Sequence, residues 1–326
     1  MQKLSDEQVA TFVAAYPAAK QNELLLSHTF LKIGGPARLY IVVQDADIYV
    51  SIIEFAKKIS IPFYIIGGGS NILVSDTGYE GVIIQMNMRG SKIEETVVSA
   101  CAGDFTGLIA RLSADAGLIG FEWGVGVPGT IGGAIYGNAG CFGGEMKDAV
   151  ASVCAYDILK EKKVTYSNGE CMFGYRDSRF KHEPHIIFGM TMVLERGNIF
   201  LAKKKIEDIM SKRKDTQPQG AFSAGCLFKN FEYKNTDALS ILQRDVEVPS
   251  ELLKVKKIPA GWLIDTLGLK GYAIGRAQVS SVHGNFLVNL GGARAQDVLA
   301  LSSYVKMKVR DAYGILLEDE VQYVGF

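Results

Sequence analysis

Nine glycines fall within the twenty-one residues 124–144, GVGVPGTIGGAIYGNAGCFGG. Glycine weakens a helix or strand interior by roughly 0.5–1 kcal/mol relative to alanine, and it lets a backbone approach a ligand that a Cβ would keep away. A folded chain that keeps such a run is one whose backbone must come close to something. A second knot, Gly67-Gly68-Gly69-Ser70-Asn71, follows the β-like run PFYII. Over the whole chain glycine is 36 of 326 residues, about 11% against a usual ~7%. It has no Gly-X-Y period, so collagen is excluded. An apolar content of 48% can offset the entropy of ordering, which excludes disorder. The 35 basic and 35 acidic side chains cancel, leaving no net field to attract nucleic acid or an anionic membrane.

The length of 326 residues suggests about two domains at ~150 residues each. Cys101, Cys141, Cys154, Cys171 and Cys226 are odd in number and include no CxxC pair, so neither a disulfide framework nor a zinc site is indicated. The start, MQKLSDEQ, is charged where a signal peptide needs an apolar core, and no run approaches the ~18 apolar residues of a membrane span. A reduced, cytoplasmic protein is expected. Ser5 and Gln8 are spaced as a capping box for a helix over 5–16. Asp45 to Lys58 reads as an amphipathic helix between β-rich runs, and Thr106 to Ala116 as another, stopped by Gly117. β segments occupy about 149–195, and a charged helix lies near 201–214 with Lys203–Lys205 and Lys212–Lys214 on its wet face. A helix from Asp297 to Tyr313 ends at Gly314, and ILLEDEVQYV reads as a last strand. The mixture is α+β in two lobes with a boundary near 198.

Several clusters could carry chemistry. Consecutive glycines at 67–69 expose amides in a nest that suits phosphate oxygens, or else form a tight surface turn. Gly124, Gly126 and Gly129 fit G-x-G-x-x-G, but Pro128 and the further glycines weaken any following helix, which disfavours a nicotinamide-dinucleotide site of the doubly wound type. Arg176, in Tyr175-Arg176-Asp177-Ser178, is either solvated or a fork of donors for a carboxylate or enolate. Cys226 is either a small buried hydrophobe or a proton donor more acidic than serine, given a thiol pKa of ~8.5. Strand alternation puts Glu318 and Glu320 on one face and Asp319 on the other. His283 is either a satisfied core histidine or a ligand contact.

HTFLKIGGPARLY, IIGGGSNILVSD, GVGVPGTIGGAIYGNAG, YRDSRF, SAGCLFKN, PAGWLIDTLGLKG and the terminal LEDEV, in this order from about residue 28 to 321, resemble the UDP-N-acetylenolpyruvoylglucosamine reductase family. The resemblance implies an N-terminal helical segment (1–27), an FAD-binding domain of the vanillyl-alcohol-oxidase (PCMH) type (28–198) and a smaller α/β substrate-binding lobe (199–326). It implies FAD held by Gly67, Gly68, Gly69, Ser70 and Asn71 at the pyrophosphate, and by Gly126, Val127, Gly129, Thr130, Gly133 and Gly140 along its length. It implies a reaction of peptidoglycan precursor synthesis. NADPH reduces the flavin and leaves, and UDP-N-acetylglucosamine enolpyruvate takes its place. Flavin N5 gives hydride to the vinyl methylene carbon, and a protein acid protonates the adjacent carbon. Arg176 and Glu320 match the pair that stabilises the enol, with Glu318 as the fallback. Cys226 stands where well-known members carry a serine proton donor. Tyr175, Asn230 and His283 match substrate contacts.

The sequence departs from the family at Thr216, where some members have a lysine that Lys214 could replace. It also lacks a long tyrosine-bearing insertion after YRDS, as in the shorter branch. The resemblance implies a monomer with a small-molecule substrate and no nucleic-acid or membrane partner. Two other readings keep the flavin fold: a low-turnover relative acting as a binding module, and a different oxidase of the same superfamily.

Overall fold

The computed structural model describes residues 3–233, 242–243, 246–254 and 257–326. Local signals act as the sequence dictates. Ser5 Oγ accepts from the Gln8 amide at 3.1 Å and Gln8 Oε1 accepts from the Ser5 amide at 3.0 Å, starting the helix Asp6–Ala15. Asp45 caps Ala46–Lys58 by accepting from the amides of Asp47 and Ile48. Gly117 and Gly314 take φ of +74° and +67° just beyond Thr106–Asp115 and Ala295–Tyr313, a left-handed backbone that costs glycine nothing.

Two sheets share the first core. One has strand order Lys20–Leu24, Pro36–Val43, Tyr79–Met86, Phe63–Ile66, antiparallel at its first pair and parallel thereafter. The other is antiparallel throughout, in the order Lys162–Ser167, Val150–Asp157, His185–Val193, Val97–Cys101, Lys92–Glu94. Leu39, Ile41, Val82 and Ile84 of the first pack with Val98, Val153, Ile186 and Met192 of the second, around the helix Ala46–Lys58. A second core forms under the helices Ala260–Thr266 and Ala295–Tyr313 and the three antiparallel strands Ala273–Ile274, Ala277–Val279 and Leu287–Asn289. Leu31, Ile33 and Leu73 from the first half of the chain are built into it. The helix Ile199–Thr216 sends Ile209 into the first core and packs Ala202 and Ile206 against Ala114.

One expectation is corrected and one qualified. The helix after Gly129, expected to be weakened by the further glycines, forms over Ile131–Tyr136 and lasts only six residues. A 3-10 turn over Glu122–Gly126 precedes it where a dinucleotide fingerprint needs a strand. The last strand is only Gln322–Val324, and it pairs in parallel with Ile72–Val74. Residues 315–321 form no strand beyond an isolated bridge of Asp319 with Phe228, so strict alternation does not govern Glu318 to Glu320.

Candidate active site

The two glycine-rich segments meet backbone to backbone. A Cβ on Gly68 would lie 3.1 Å from the Gly129 Cα, and one on Gly67 would collide with Thr130 Oγ1. Ser70 Oγ donates to the Pro128 carbonyl at 3.2 Å. Gly69 and Gly129 have φ of +66° and +98°. Among the described residues the amides of Gly68, Gly69 and Ser70 find no protein acceptor. The Thr130 hydroxyl is buried without a partner. A buried hydroxyl and a row of amides left unpaired are what an anionic ligand satisfies. Asn71 reaches away instead, its Nδ2 donating to the Glu320 carbonyl at 3.1 Å. Val127 closes the 3-10 turn through its amide to Gly124. Gly133 lies within the short helix, where a Cβ would make only ordinary contact.

Arg176 sits on a two-residue reversal: Gly174 and Asp177 exchange both backbone hydrogen bonds, at 3.0 and 3.2 Å. Its φ of +52° is rare for a side chain with a Cβ, and such strain is found where the surroundings force it. The guanidinium gains from it. Arg176 Nε donates to Glu320 Oε1 at 2.7 Å and Nη2 donates to the Gly140 carbonyl at 3.0 Å. The two side chains are only 20% and 18% exposed. Burial works against the arginine charge, and Glu320, Tyr175 and Cys226 together outweigh it, so the cation is retained. Burial raises the Glu320 carboxyl above its ordinary range, with the Arg176 charge and its hydrogen bond pulling the other way.

Cys226 lies next to this pair because of how three segments align. Leu227 donates to the Asn285 carbonyl on one side, at 2.8 Å, and accepts from the Glu320 amide on the other, at 2.7 Å. Asn285 clamps the arrangement from below, accepting from the Phe228 amide and donating to the Phe228 carbonyl. Burial and the charge of Glu320 push the Cys226 thiol up to about 12, with Arg176 pulling it down. The thiol is thus a far weaker acid here than the ~8.5 of a free cysteine, and the same burial and carboxylate would act on a serine hydroxyl at this position. This environment also holds the sulfur protonated. Glu318 stands apart at 75% exposure, paired with Lys229, and Asp319 pairs with Lys306. Of the acidic residues in LEDEV, only Glu320 faces Arg176.

A cleft of about 370 Å³ opens beside Arg176, lined by Gly140, Cys141, Glu145, Lys147, Tyr175 and Asn230 among others. Tyr175 Oη accepts from the Asn230 amide at 3.0 Å, and Asn230 Oδ1 accepts from the Ala260 amide at 3.2 Å. His283 is held elsewhere: Nδ1 accepts from the Asn285 amide at 3.1 Å, and its ring packs on Phe286. None of its contacts runs to Arg176, Cys226 or Glu320.

Sequence reasoning missed three contributors. Asn138, fully buried at φ +40°, donates to Glu145 and the Gly174 carbonyl and accepts from the Lys147 amide, tying the reversal to the cleft wall. An asparagine inside a glycine run was the available signal, because asparagine tolerates that backbone. Arg213 turns inward from the charged helix to donate to the Gly126 carbonyl, whereas Lys214 is exposed. Lys181 donates to the Arg176 carbonyl.

A family model described as UDP-N-acetylenolpyruvoylglucosamine reductase, C-terminal domain, matches residues 217–324, and one described as FAD binding domain matches 37–172. The chain is 37% identical to the UDP-N-acetylenolpyruvoylglucosamine reductase of Caldanaerobacter subterraneus over 93% of each. It is 32% identical to that of Bacillus subtilis over 100% of this chain and 98% of the relative. The crystal structure of the reductase from Thermus caldophilus superposes with a TM-score of 0.72 at 32% identity, covering 93% of this chain and 97% of that one. With the FAD-binding region, the reductase-type C-terminal lobe and full-length likeness all in place, the chain belongs to the UDP-N-acetylenolpyruvoylglucosamine reductase family.

Proposed function

We propose that Arg176, Glu320 and Cys226 carry the final steps of the family reaction, the FAD-dependent, NADPH-driven reduction of UDP-N-acetylglucosamine enolpyruvate to UDP-N-acetylmuramate in peptidoglycan precursor synthesis. The observation that carries this reading is the 2.7 Å Arg176–Glu320 pair beside a protonated Cys226, at the edge of a cleft walled by Tyr175 and Asn230.

The residues present fit FAD. Gly67–Ser70 and Gly126–Thr130 form a glycine-rich cradle with unpaired amides at Gly68, Gly69 and Ser70 and an unpaired buried hydroxyl at Thr130. Gly67, Gly68, Gly69 and Ser70 would hold its pyrophosphate, and Gly129 and Thr130 would lie against it. When bound, FAD supplies the hydride that adds to the vinyl methylene carbon of the substrate. The electron pair of the double bond then moves onto the carboxylate side as an enolate. Arg176, fixed by Glu320 and the Gly140 carbonyl, offers its remaining donors to that charge without reorganising. Cys226 gives its proton to the adjacent carbon, and the resulting thiolate recovers a proton from solvent. Tyr175 and Asn230 shape the cleft for the sugar nucleotide.

The same reading takes the protein as a cytoplasmic monomer with a small-molecule substrate. The small-molecule substrate is supported by the cleft beside Arg176, and no helix among the described residues is long and apolar enough to cross a membrane.

The test is a two-stage anaerobic titration of purified holoenzyme followed by visible absorbance. NADPH bleaches the flavin, and UDP-N-acetylglucosamine enolpyruvate restores it. Bleaching without restoration overturns the substrate assignment and leaves a flavoprotein of another reaction.

A further inference from the structure

Lys181 closes the short 3-10 turn Arg179–Lys181 and folds back five residues to donate from Nζ to the Arg176 carbonyl at 2.7 Å. The bond falls on a residue held at a left-handed φ, +52°. A left-handed residue costs about 1–2 kcal/mol unless its surroundings compensate, and a charged donor fixed on its carbonyl is such a compensation. The turn is braced elsewhere too. Asp177 pairs with His182 at 2.8 Å, Ser178 Oγ donates to the Tyr136 carbonyl at 2.8 Å, and Asn138 donates to the Gly174 carbonyl at 2.7 Å. Those bonds hold the ends of the reversal. The peptide that follows the Arg176 Cα is held at both its polar atoms, its Asp177 N–H donating to the Gly174 carbonyl at 3.2 Å and its Arg176 carbonyl accepting from Lys181, so the lysine is the side chain that helps fix the direction in which the guanidinium leaves the backbone. The ammonium stem passes over the Tyr136 ring at 5.7 Å, and no carboxylate lies within ion-pairing distance of Nζ among the described residues. Its charge is felt by Asp177 and by the Glu320 carboxylate.

We propose that Lys181 is a positioning residue for the Arg176–Glu320 pair, aiming the guanidinium through the Arg176 carbonyl and adding a second positive charge behind the Glu320 carboxylate. The proposal rests on the functional reading above. The charged and titratable groups that face Glu320 are Arg176, Lys181, Lys229, Tyr175 and Cys226, and those that face Lys181 are Arg176, Lys229, Asp177 and Glu320. Burial raises the Glu320 carboxyl, and Arg176, Lys181 and Lys229 lower it. Removing the lysine charge therefore raises it further. A rate that needs the ionised carboxylate then loses its acid side at higher pH than in the wild type.

Three variants separate aim from charge. Lys181→Met removes both, Lys181→Gln keeps a donor for the carbonyl without the charge, and Lys181→Arg keeps both. Each is purified as holoenzyme, checked for FAD content and melting temperature, and its two half-reactions are followed by stopped flow across pH. Flavin reduction by NADPH stays within about twofold of wild type in all three. Reoxidation by UDP-N-acetylglucosamine enolpyruvate slows by about tenfold or more in Lys181→Met, a loss typical of a misplaced catalytic group. It recovers to within about threefold in Lys181→Arg. In Lys181→Gln the plateau is kept while the acid limb moves to higher pH; this variant carries the test if Lys181→Met does not fold. An unmoved acid limb in Lys181→Gln overturns the proposal, as does a slow Lys181→Met that arginine fails to rescue. A crystal structure of Lys181→Met or Lys181→Gln holoenzyme decides independently of substrate. In Lys181→Met, Arg176 is expected to leave the left-handed region or to lose its 2.7 Å bond to Glu320, and an unchanged pair overturns the aiming role. Failure of wild-type enzyme to be reoxidised would overturn the assigned reaction instead, with the crystallographic arm still deciding for Lys181.

Discussion

The Cys226 thiol makes a prediction that an ordinary cysteine would not. A free thiol of pKa ~8.5 is about three-quarters ionised at pH 9, so a proton donor of that kind would lose about fourfold of its competent form between pH 7 and 9. With the thiol pushed up to about 12, the ionised fraction at pH 9 is about one part in a thousand, and the donor is intact across the whole range. The assay is stopped-flow reoxidation of anaerobically reduced enzyme by UDP-N-acetylglucosamine enolpyruvate, in steps from pH 6.5 to 9.5. Wild type is expected to show no alkaline loss near pH 8.5. Cys226→Ser is expected to stay within about tenfold of it, because a serine hydroxyl also presents one transferable proton at the same place. Cys226→Ala should fall by ~10²–10⁴ in reoxidation alone, the weight of one positioned acid. A fourfold alkaline loss centred near pH 8.5 that vanishes in Cys226→Ser would refute the raised thiol. An undiminished Cys226→Ala would refute the role itself.

Three more predictions test the frame around it. Gly69→Ala sets a Cβ against the His28 carbonyl at a φ of +66°, so it should lose FAD on purification and melt several degrees lower, since the backbone term alone is about 1–2 kcal/mol. Glu320→Gln should slow reoxidation by ~10²–10³ and spare flavin reduction, whereas Glu318→Gln, removing one half of an exposed pair, should change neither by more than about twofold. Asn285→Ala leaves the buried Phe228 amide and carbonyl without their side-chain partners and should cost about 2–4 kcal/mol by urea midpoint.

What was legible in the sequence was what is decided locally or by composition. A serine three residues before a glutamine, an aspartate ahead of an apolar period and a glycine after one each specify a helix end with neighbours in sequence, and Ser5, Asp45 and Gly314 act as read. The two glycine clusters announce close approach, although not that the approach is to each other at Gly68 and Gly129. Distant partners were not legible. The alternation drawn through Glu318 and Glu320 assumed a strand, and residues 315–321 take their direction from the segment 226–229 instead. The raised thiol of Cys226 was not legible either, because it depends on burial and on Glu320 as a neighbour. Nor does the pattern YRDSRFK disclose that its lysine turns back onto its arginine, because that depends on a left-handed residue between them.

The parallel pairing of Gln322–Val324 with Ile72–Val74 places a condition on time as well as on space. Asn71 and Glu320, joined side chain to carbonyl at 3.1 Å, are 249 residues apart. At a synthesis rate of roughly 5–20 residues per second, about 12–50 s separate the making of the glycine loop from the making of the carboxylate that completes the site. Through that interval the edge of Ile72–Val74 has nothing to pair with from its own chain. A ribosome that stalls between Ile209 and Glu320 therefore yields a chain with the residues of its first core and without the partner carboxylate of Arg176.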